Sequence, residues 1–430
     1  MKLAVWSPLP PSPSGIADYV AEQCGELARR FDLRVVADEP AALEAVDADL
    51  DLYHLGNSPA HAYVYRAALA RPGVVVLHDF GLHHLVLGET VERGDRAGYL
   101  REMRRAYGET GTFVGRQVAR ALGGDLLPAM YPLNDRVLDS CLALVGLTRY
   151  VAGRAALRLR GRPVLHLPHH VSLPLDPVPS RAEARRALGL PKGALLVTAP
   201  GLATAAKRLD VALRAAGRVR AAHPSLRFVV AGGTDERLPL AEWAAAALLG
   251  DALVVTGRLG LDDFVRHLCA ADVVVALRFP THGEISGALV RAMGVGRPAL
   301  VTALTPSADE FPEGCVVPVT PGVCEEAELE ALLARLLGDE ALRETIGRLA
   351  RAHVTAHHGL ADTAARLADF LEEVHGRKGA LAAEVERRRA SADGLLGHLR
   401  DEVRWAARDL GLFDVPPEIE PVLADLLRRD

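Results

Sequence analysis

The sequence predicts an α/β protein: two doubly wound, Rossmann-like domains of parallel sheet facing a cleft, with a helical insertion and a helical C-terminal extension. Three observations carry that expectation. Short apolar runs alternate with longer segments of helical periodicity. Many of the runs are rich in Val and Leu and lack polar alternation, as strands buried on both faces of a parallel sheet do. The alternation comes in two blocks, separated by the proline-rich segment Ser172–Ser180.

In the first block the expected strands are Lys2–Trp6, Leu33–Ala37, Leu50–Leu55, Val74–Leu77, Leu142–Gly146 and Val164–Leu167. A helix is expected over Ala17–Phe31. Residues Phe80–Asp139 hold no convincing strand and read as a mostly helical insertion. In the second block the strands are Leu195–Ala199, Arg227–Ala231, Leu253–Thr256, Val273–Ala276, Pro298–Val301 and Cys315–Val319. Helical patterns cover Leu209–His223, Asp262–Ala270 and Gly287–Val295. The domains are expected at 1–175 and 176–355. The tail from Lys378 reads as a polar helix, a Pro416-Pro417 break and a short helix. Its mixed charges favour a solvated helix over a docking element.

Length and composition agree. At 430 residues the chain is long enough for two domains or three. Half of it is apolar and 24% charged, ordinary for a globular protein, and the net charge of −5 argues against a nucleic-acid partner. Only Lys2, Lys192, Lys207 and Lys378 are lysine, against 46 arginines. That imbalance, with abundant Ala and Leu, fits the codon bias of a GC-rich bacterial genome. Five cysteines, with no CxxC pair, fit neither a disulfide framework nor a zinc site. The apolar run Leu3–Trp6 is too short for a signal core, and no eighteen-residue apolar stretch suggests a membrane span. The expectation is a cytoplasmic protein, with peripheral contact at the inner face of the membrane left open.

The polar residues gather at strand ends, where open parallel sheets bind ligands. After the first strand, the turn Ser7–Ser14 leads through Gly15 into a helix. It is either a site for close backbone approach to an anion or only a rigid proline loop. His54 with Gly56-Asn57, and His78-Asp79, end two further strands; a strand-end imbidazole can orient or accept a proton from a sugar hydroxyl, or be a satisfied core group. Asp18, Asn57 and Asp79 are the polar groups expected on an acceptor side. His83-His84 and His169-His170 are weaker candidates. In the second block, Gly201 opens a small-residue loop that ends in Lys207-Arg208, a compact charge and a guanidinium fork suited to a diphosphate. Cations are unfavourable at a helix start, which speaks against a merely solvated pair.

Three more loops follow strands: Gly232-Gly233-Thr234, Gly257-Arg258-Leu259 and Arg278–Gly287. The last carries Thr281, Glu284 and Ser286, and opens a helix whose N–H groups at Gly287, Ala288 and Leu289 suit a phosphate. Glu284 either accepts from sugar hydroxyls or only complements the helix dipole. Asp309-Glu310 is read as a site or a surface turn. GxGxxG and the Walker pattern are absent, so neither a dehydrogenase nor a P-loop enzyme is indicated. No metal is expected, because no Asp or His run has ligand spacing.

Four segments together, SPLPPSPSGIADY, YHLGN with VVVLHD, KRLD, and LRFPTHGEISGALVRAMGVGRP, resemble GT-B-fold glycosyltransferases of the retaining family 4 group. The resemblance covers roughly residues 1–376, and PTHGEISG is close to the PTxGExSG form of one bacterial subgroup. It implies a nucleotide-diphosphate sugar as donor, with UDP or GDP expected, and no further cofactor. By this resemblance Lys207 and Arg208 stabilise the leaving diphosphate, Gly15 approaches it, His78 stands near the donor sugar, and Glu284 touches sugar hydroxyls. Gly201, Gly233, Thr281, Ser286 and Gly287–Leu289 would line the donor, and Arg258-Leu259 the base. A helix near Ala356–His375 would cross back to the first domain. The implied function is sugar transfer with retention to an acceptor hydroxyl, in glycan, cell-envelope or glycoconjugate biosynthesis. The acceptor, a lipid-linked glycan, protein or metabolite, is not legible. Two positions depart from the pattern. Arg291 stands where a second Glu is usual, with the spacing one residue shorter, which leaves the ribose contact open. Leu202-Ala203 replaces a usual Arg or Ser. The alternatives are a GT-B-fold nucleotide-sugar epimerase and a non-catalytic nucleotide-sugar-binding protein.

Overall fold

The computed structural model describes residues 1–12, 14–38, 45–122 and 124–390. The chain forms two compact units, Met1–Leu167 together with the chain from Ala364, and Pro168–Thr363. The division thus precedes the proline-rich segment that sequence reading used as the boundary.

The first unit holds β1 (Lys2–Trp6), β2 (Asp32–Val36), β3 (Leu50–Leu55), β4 (Val74–Leu77), β5 (Ala143–Gly146) and β6 (Val164–His166). They form one parallel sheet in the order β2-β1-β3-β4-β5-β6. β3, β4 and β5 are buried along their whole length, which is why their sequences lack polar alternation; the edge strand β2 alternates. The direction of winding reverses between β1 and β3. Beneath that point Trp6 packs on Tyr53 and donates to Asp51, which Arg71 neutralises at 3.0 Å.

The second unit holds β7 (Leu195–Pro200), β8 (Leu226–Ala231), β9 (Leu253–Val255), β10 (Val273–Ala276), β11 (Ala299–Thr302) and β12 (Val317–Val319). Their order, β12-β11-β10-β7-β8-β9, is the Rossmann order, with its switch point between β7 and β10. Asp272 pins that seam. Its carboxylate accepts from Leu196 N–H at 2.7 Å and from Arg185 at 2.5 Å, and Arg181 lies at 2.8 Å. The two arginines come from the helix Arg181–Ala187, started by a Ser180–Glu183 capping box.

The insertion is helical, as expected: His83–Glu89, Arg96–Val118 (kinked at Gly108), Leu126–Met130 and Asp135–Ser140. The helix Leu360–Gly376 contributes buried Leu367, Leu371 and Val374 and, through Arg366, a bond to His166 O. The tail departs from the solvated helix expected of it. Helix Lys378–Ala390 buries Leu381 and Val385, and Lys378 and Arg388 donate to the carbonyls of Asp49, Arg158 and Arg160. Its mixed charges are in part docking groups. The Pro416-Pro417 break and the helix after it lie outside the described residues.

Asp272→Ala would leave Arg185, itself buried, without its counter-charge. The expected cost is about 3–5 kcal/mol, read as a lowered urea midpoint. A midpoint within experimental error of the parent would show that the seam does not depend on this carboxylate.

Candidate functional site

In the second unit the loops after β7, β8 and β10 converge at the switch point. Gly201 (φ +78°) follows β7, and Gly232 (φ +149°) follows β8. A Cβ on Gly232 would lie 2.6 Å from Gly201 O, so no side chain fits there. The two loops are tied by Gly201 N–H to Ala231 O, Ala203 N–H to Gly233 O and Asp235 N–H to Ala203 O. Thr256, at the end of β9, accepts from Gly232 N–H at 3.0 Å.

Lys207 turns back over this turn. Its Nζ donates to Pro200 O, and a Cβ on Gly201 would meet it at 3.1 Å. Among the described residues Lys207 has no carboxylate partner. Burial, and secondarily the charge of Arg278, push its pKa down to about 7. Arg208 is placed differently from its neighbour. It adopts a left-handed conformation (φ +54°) as the N-cap of helix Leu209–Arg220, and its guanidinium pairs with the buried Glu325. That carboxylate offsets the cation at the helix start, a partner that sequence reading did not find because it lies 117 residues away.

The loop after β10 holds Glu284, which is buried. Its carboxylate lies 3.1 Å from Arg278, and accepts from Thr281 Oγ1 at 3.0 Å and His282 N–H at 2.6 Å. Burial alone would raise its pKa; Arg278 and the backbone N–H groups outweigh that and hold it below the ordinary carboxylate value. Sequence alone places Arg278 only as a member of the loop; in the structure it is the charge that keeps Glu284 ionised. Phe279 N–H donates to Ala206 O at 2.8 Å, which ties this loop to the Lys207 loop. Ser286 caps the helix Gly287–Gly294 by accepting from Leu289 N–H at 3.3 Å. Leu289 N–H is therefore not the free donor that was expected, because the cap occupies it. Gly287 and Ala288 N–H have no partner among the described residues. The ring of His169 packs so closely on Gly287 that a Cβ would meet it at 3.0 Å, and Nη1 of the buried Arg291 would lie at 3.4 Å. Arg291 thus stands over the same helix start. Arg258 is exposed and Leu259 half-buried on the loop after β9.

In the first unit, the helix after β1 begins at Gly15, capped by Ser14, two residues before the expected start. Gly15 is exposed with nothing within 4 Å of a Cβ position, and Asp18 is exposed on the first turn. His54 and His78 are brought together: His54 Nδ1 lies 3.1 Å from His78 Nε2, both rings are buried, and Tyr19 presents its edge to His78 at 5.0 Å. His61 donates to His54 O, and burial pushes its pKa down to about 4. Asn57 and Asp79 hold the local backbone. Asn57 Oδ1 accepts from His84 and Leu85 N–H at the start of a helix, while Asp79 accepts from Asn57 N–H at 2.7 Å. His83 bonds Tyr99 and the Tyr131 carbonyl and is structural.

Comparison with known proteins bears on this second unit. Residues 180–353 match the family Glycosyl transferases group 1. The match takes in the β7, β8, β9 and β10 loops described above. A D-inositol 3-phosphate glycosyltransferase of Saccharomonospora viridis is 30% identical over 187 residues, 40% of this chain and 42% of that protein. One from Acidothermus cellulolyticus is 30% identical over 190 residues, 41% of each. The chain spans less than half the length of these curated relatives. Among solved structures, sucrose-phosphate synthase from Thermosynechococcus elongatus has a TM-score of 0.60 at 15% identity, covering 87% of this chain and all of that one. Anabaena Alr3699/HepE in complex with UDP and glucose has 0.59 at 15%, with the same coverage. WaaG, a glycosyltransferase involved in lipopolysaccharide biosynthesis, has 0.58 at 15%, covering 86% of this chain and 99% of its own. At such identities the likeness concerns the fold. The chain has the two-domain GT-B fold, two parallel Rossmann-like sheets with their helices, and carries a helical C-terminal extension.

The Lys207 geometry has a thermodynamic signature. The folded pKa of about 7 lies below the ordinary 10.5, so the ammonium destabilises the folded chain. Below pH 7 both states hold the proton and the full penalty applies. Between about pH 7 and 10.5 the unfolded chain holds more protons, and stability rises with pH. Lys207→Met is expected to raise the melting temperature at pH 7 and to flatten that rise. A variant that melts no higher and keeps the same slope would contradict the burial of this charge.

Proposed function

We propose that the protein is a retaining glycosyltransferase that moves a sugar from a nucleotide-diphosphate sugar to an acceptor hydroxyl. The observation that carries this reading is Lys207. It is an ammonium with no carboxylate partner among the described residues, folded over a glycine turn at the switch point, in a unit that matches a glycosyltransferase family. Such a charge is costly until an anion arrives, and a diphosphate supplies one. Gly287 and Ala288 N–H offer further donors at a helix start.

In the reaction so read, the bond between the anomeric carbon and the diphosphate oxygen breaks, and its electron pair leaves on phosphate. The acceptor oxygen bonds to the anomeric carbon on the same face. Its proton passes to the departing phosphate oxygen. Lys207 stabilises the charge that develops. Glu284, kept ionised by Arg278, accepts from donor-sugar hydroxyls; His78 is the sugar-side imidazole of the first unit. Arg208, engaged by Glu325, shapes the Lys207 turn and is released to phosphate only if that pair opens. Arg291 replaces the usual carboxylate near the ribose. UDP and GDP sugars are the first donors to test, and the structural neighbour that holds UDP and glucose supports the former.

Thermal-shift screening against UDP-, GDP-, dTDP- and ADP-sugars identifies the donor, since binding stabilises the folded state by mass action. With that donor, Lys207→Ala is expected to lose about 1.5–3 kcal/mol of stabilisation, more than tenfold in turnover. Near-normal turnover would remove Lys207 from the reaction. Glu284→Gln is expected to slow transfer by a similar factor while the bare nucleoside diphosphate still binds. Equal loss of diphosphate and sugar-nucleotide binding would instead make Glu284 a structural group. A donor that stabilises the chain but is never transferred would favour a binding protein.

A further inference from the structure

The helix Arg96–Val118 in the first unit buries Tyr99, Met103, Ala106 and Val114. Its other side faces out. Phe113 is 63% exposed there, with exposed Arg116 one turn on and exposed Arg120 one turn further, at the helix end. The chain then places Leu122, Leu126 and Met130 outward, the last 61% exposed. Four large apolar side chains thus stand in water within eighteen residues, where singly scattered ones would need no explanation.

The charge of this segment opposes that of the chain. From Arg96 to Met130 six arginines face three carboxylates, Glu102, Glu109 and Asp125, a local +3 in a chain of net −5. Arg101 and Arg104 pair with Asp95 and Glu109, while Glu102 is taken by Arg136. Arg96, Arg105, Arg116 and Arg120 are exposed and have no carboxylate partner among the described residues.

We propose that this face docks on the surface of an anionic lipid bilayer. Phe113, Leu122, Leu126 and Met130 enter the headgroup boundary, and the unpaired guanidiniums meet lipid phosphates. A nucleic acid would use the arginines but leave four apolar side chains in water. A bilayer uses both, because apolar burial and attraction to anionic lipid add. The contact is peripheral: no helix among the described residues is long and apolar enough to cross a membrane.

Co-sedimentation of the full chain with vesicles tests this, in the absence of any nucleotide sugar, so the outcome is independent of the donor reading. The chain is expected to sediment with phosphatidylcholine vesicles that contain phosphatidylglycerol, far less with phosphatidylcholine alone, and less as salt is added. Arg116→Gln with Arg120→Gln is expected to weaken binding about 25-fold, about fivefold for each arginine. Phe113→Ser, made separately, is expected to weaken it without abolishing the salt dependence. Because these side chains are exposed, both variants should keep the parental melting temperature. No sedimentation with the anionic vesicles, equal sedimentation with both kinds, or variants that bind like the parent would each overturn the proposal.

Discussion

The seam between β7 and β10 is held by one carboxylate. Asp272 stands just before β10 and reaches across to the backbone of β7, while two arginines neutralise it. The placement of the loops at the far ends of both strands hangs on that pairing. At the far ends of these two strands the chain must leave the sheet in opposite senses, because the winding reverses there. The Lys207 loop leaves one and the Glu284 loop the other. A slip of β10 by one residue would exchange the faces its side chains meet and carry Glu284 away from Lys207. A buried charge is therefore retained at a place where precision of register matters more than the energy of burial.

The same unit shows two ways of keeping a charged group ready. Glu284 is buried and fully matched: a guanidinium, a hydroxyl and a backbone N–H hold it ionised and fixed. Lys207 is half-buried and poorly matched: among the described residues a carbonyl is its one hydrogen-bond partner, and a nearby arginine repels it. A matched group orients a ligand and changes little when one binds. A mismatched group gains most from a ligand of opposite sign. On the proposed function, the pair separates the tasks of positioning and of charge uptake between two loops tied at Ala206 and Phe279.

Reading from sequence went far with the strands and less far with the site, for one physical reason. A strand buried on both faces announces itself locally, so all twelve strands occur where apolar runs mark them, with ends shifted by a residue or two. The helix after β1 starts at Gly15 rather than Ala17 because Ser14 supplies its cap. The loops bearing Lys207 and Glu284 were also legible, since polar residues and glycine follow each run. What stayed hidden is pairing across the fold. Glu325 answers Arg208 from a distant helix, His54 answers His78 from the next strand, and Arg278 serves Glu284 across a turn. No spacing rule marks such partners. The tail differs from its sequence expectation for a related reason: Lys378 and Arg388 look solvated in sequence, and their carbonyl partners belong to other segments.

The chain enters the second unit after Leu167 and leaves it before Ala364, and the two passages are fastened side by side. Val171 pairs with Gly359, Val171 N–H donates to His358 O, and His358 bonds the carbonyl of His169. The second unit is in this sense a domain inserted into the first, with its ends clasped. During synthesis the inserted unit is complete before its host is. The first sheet is made before the second unit, yet the helices that bear the buried Leu367, Leu371 and Val385 are made after it. The first unit thus waits, with part of its apolar surface open, until the whole of the second has left the ribosome.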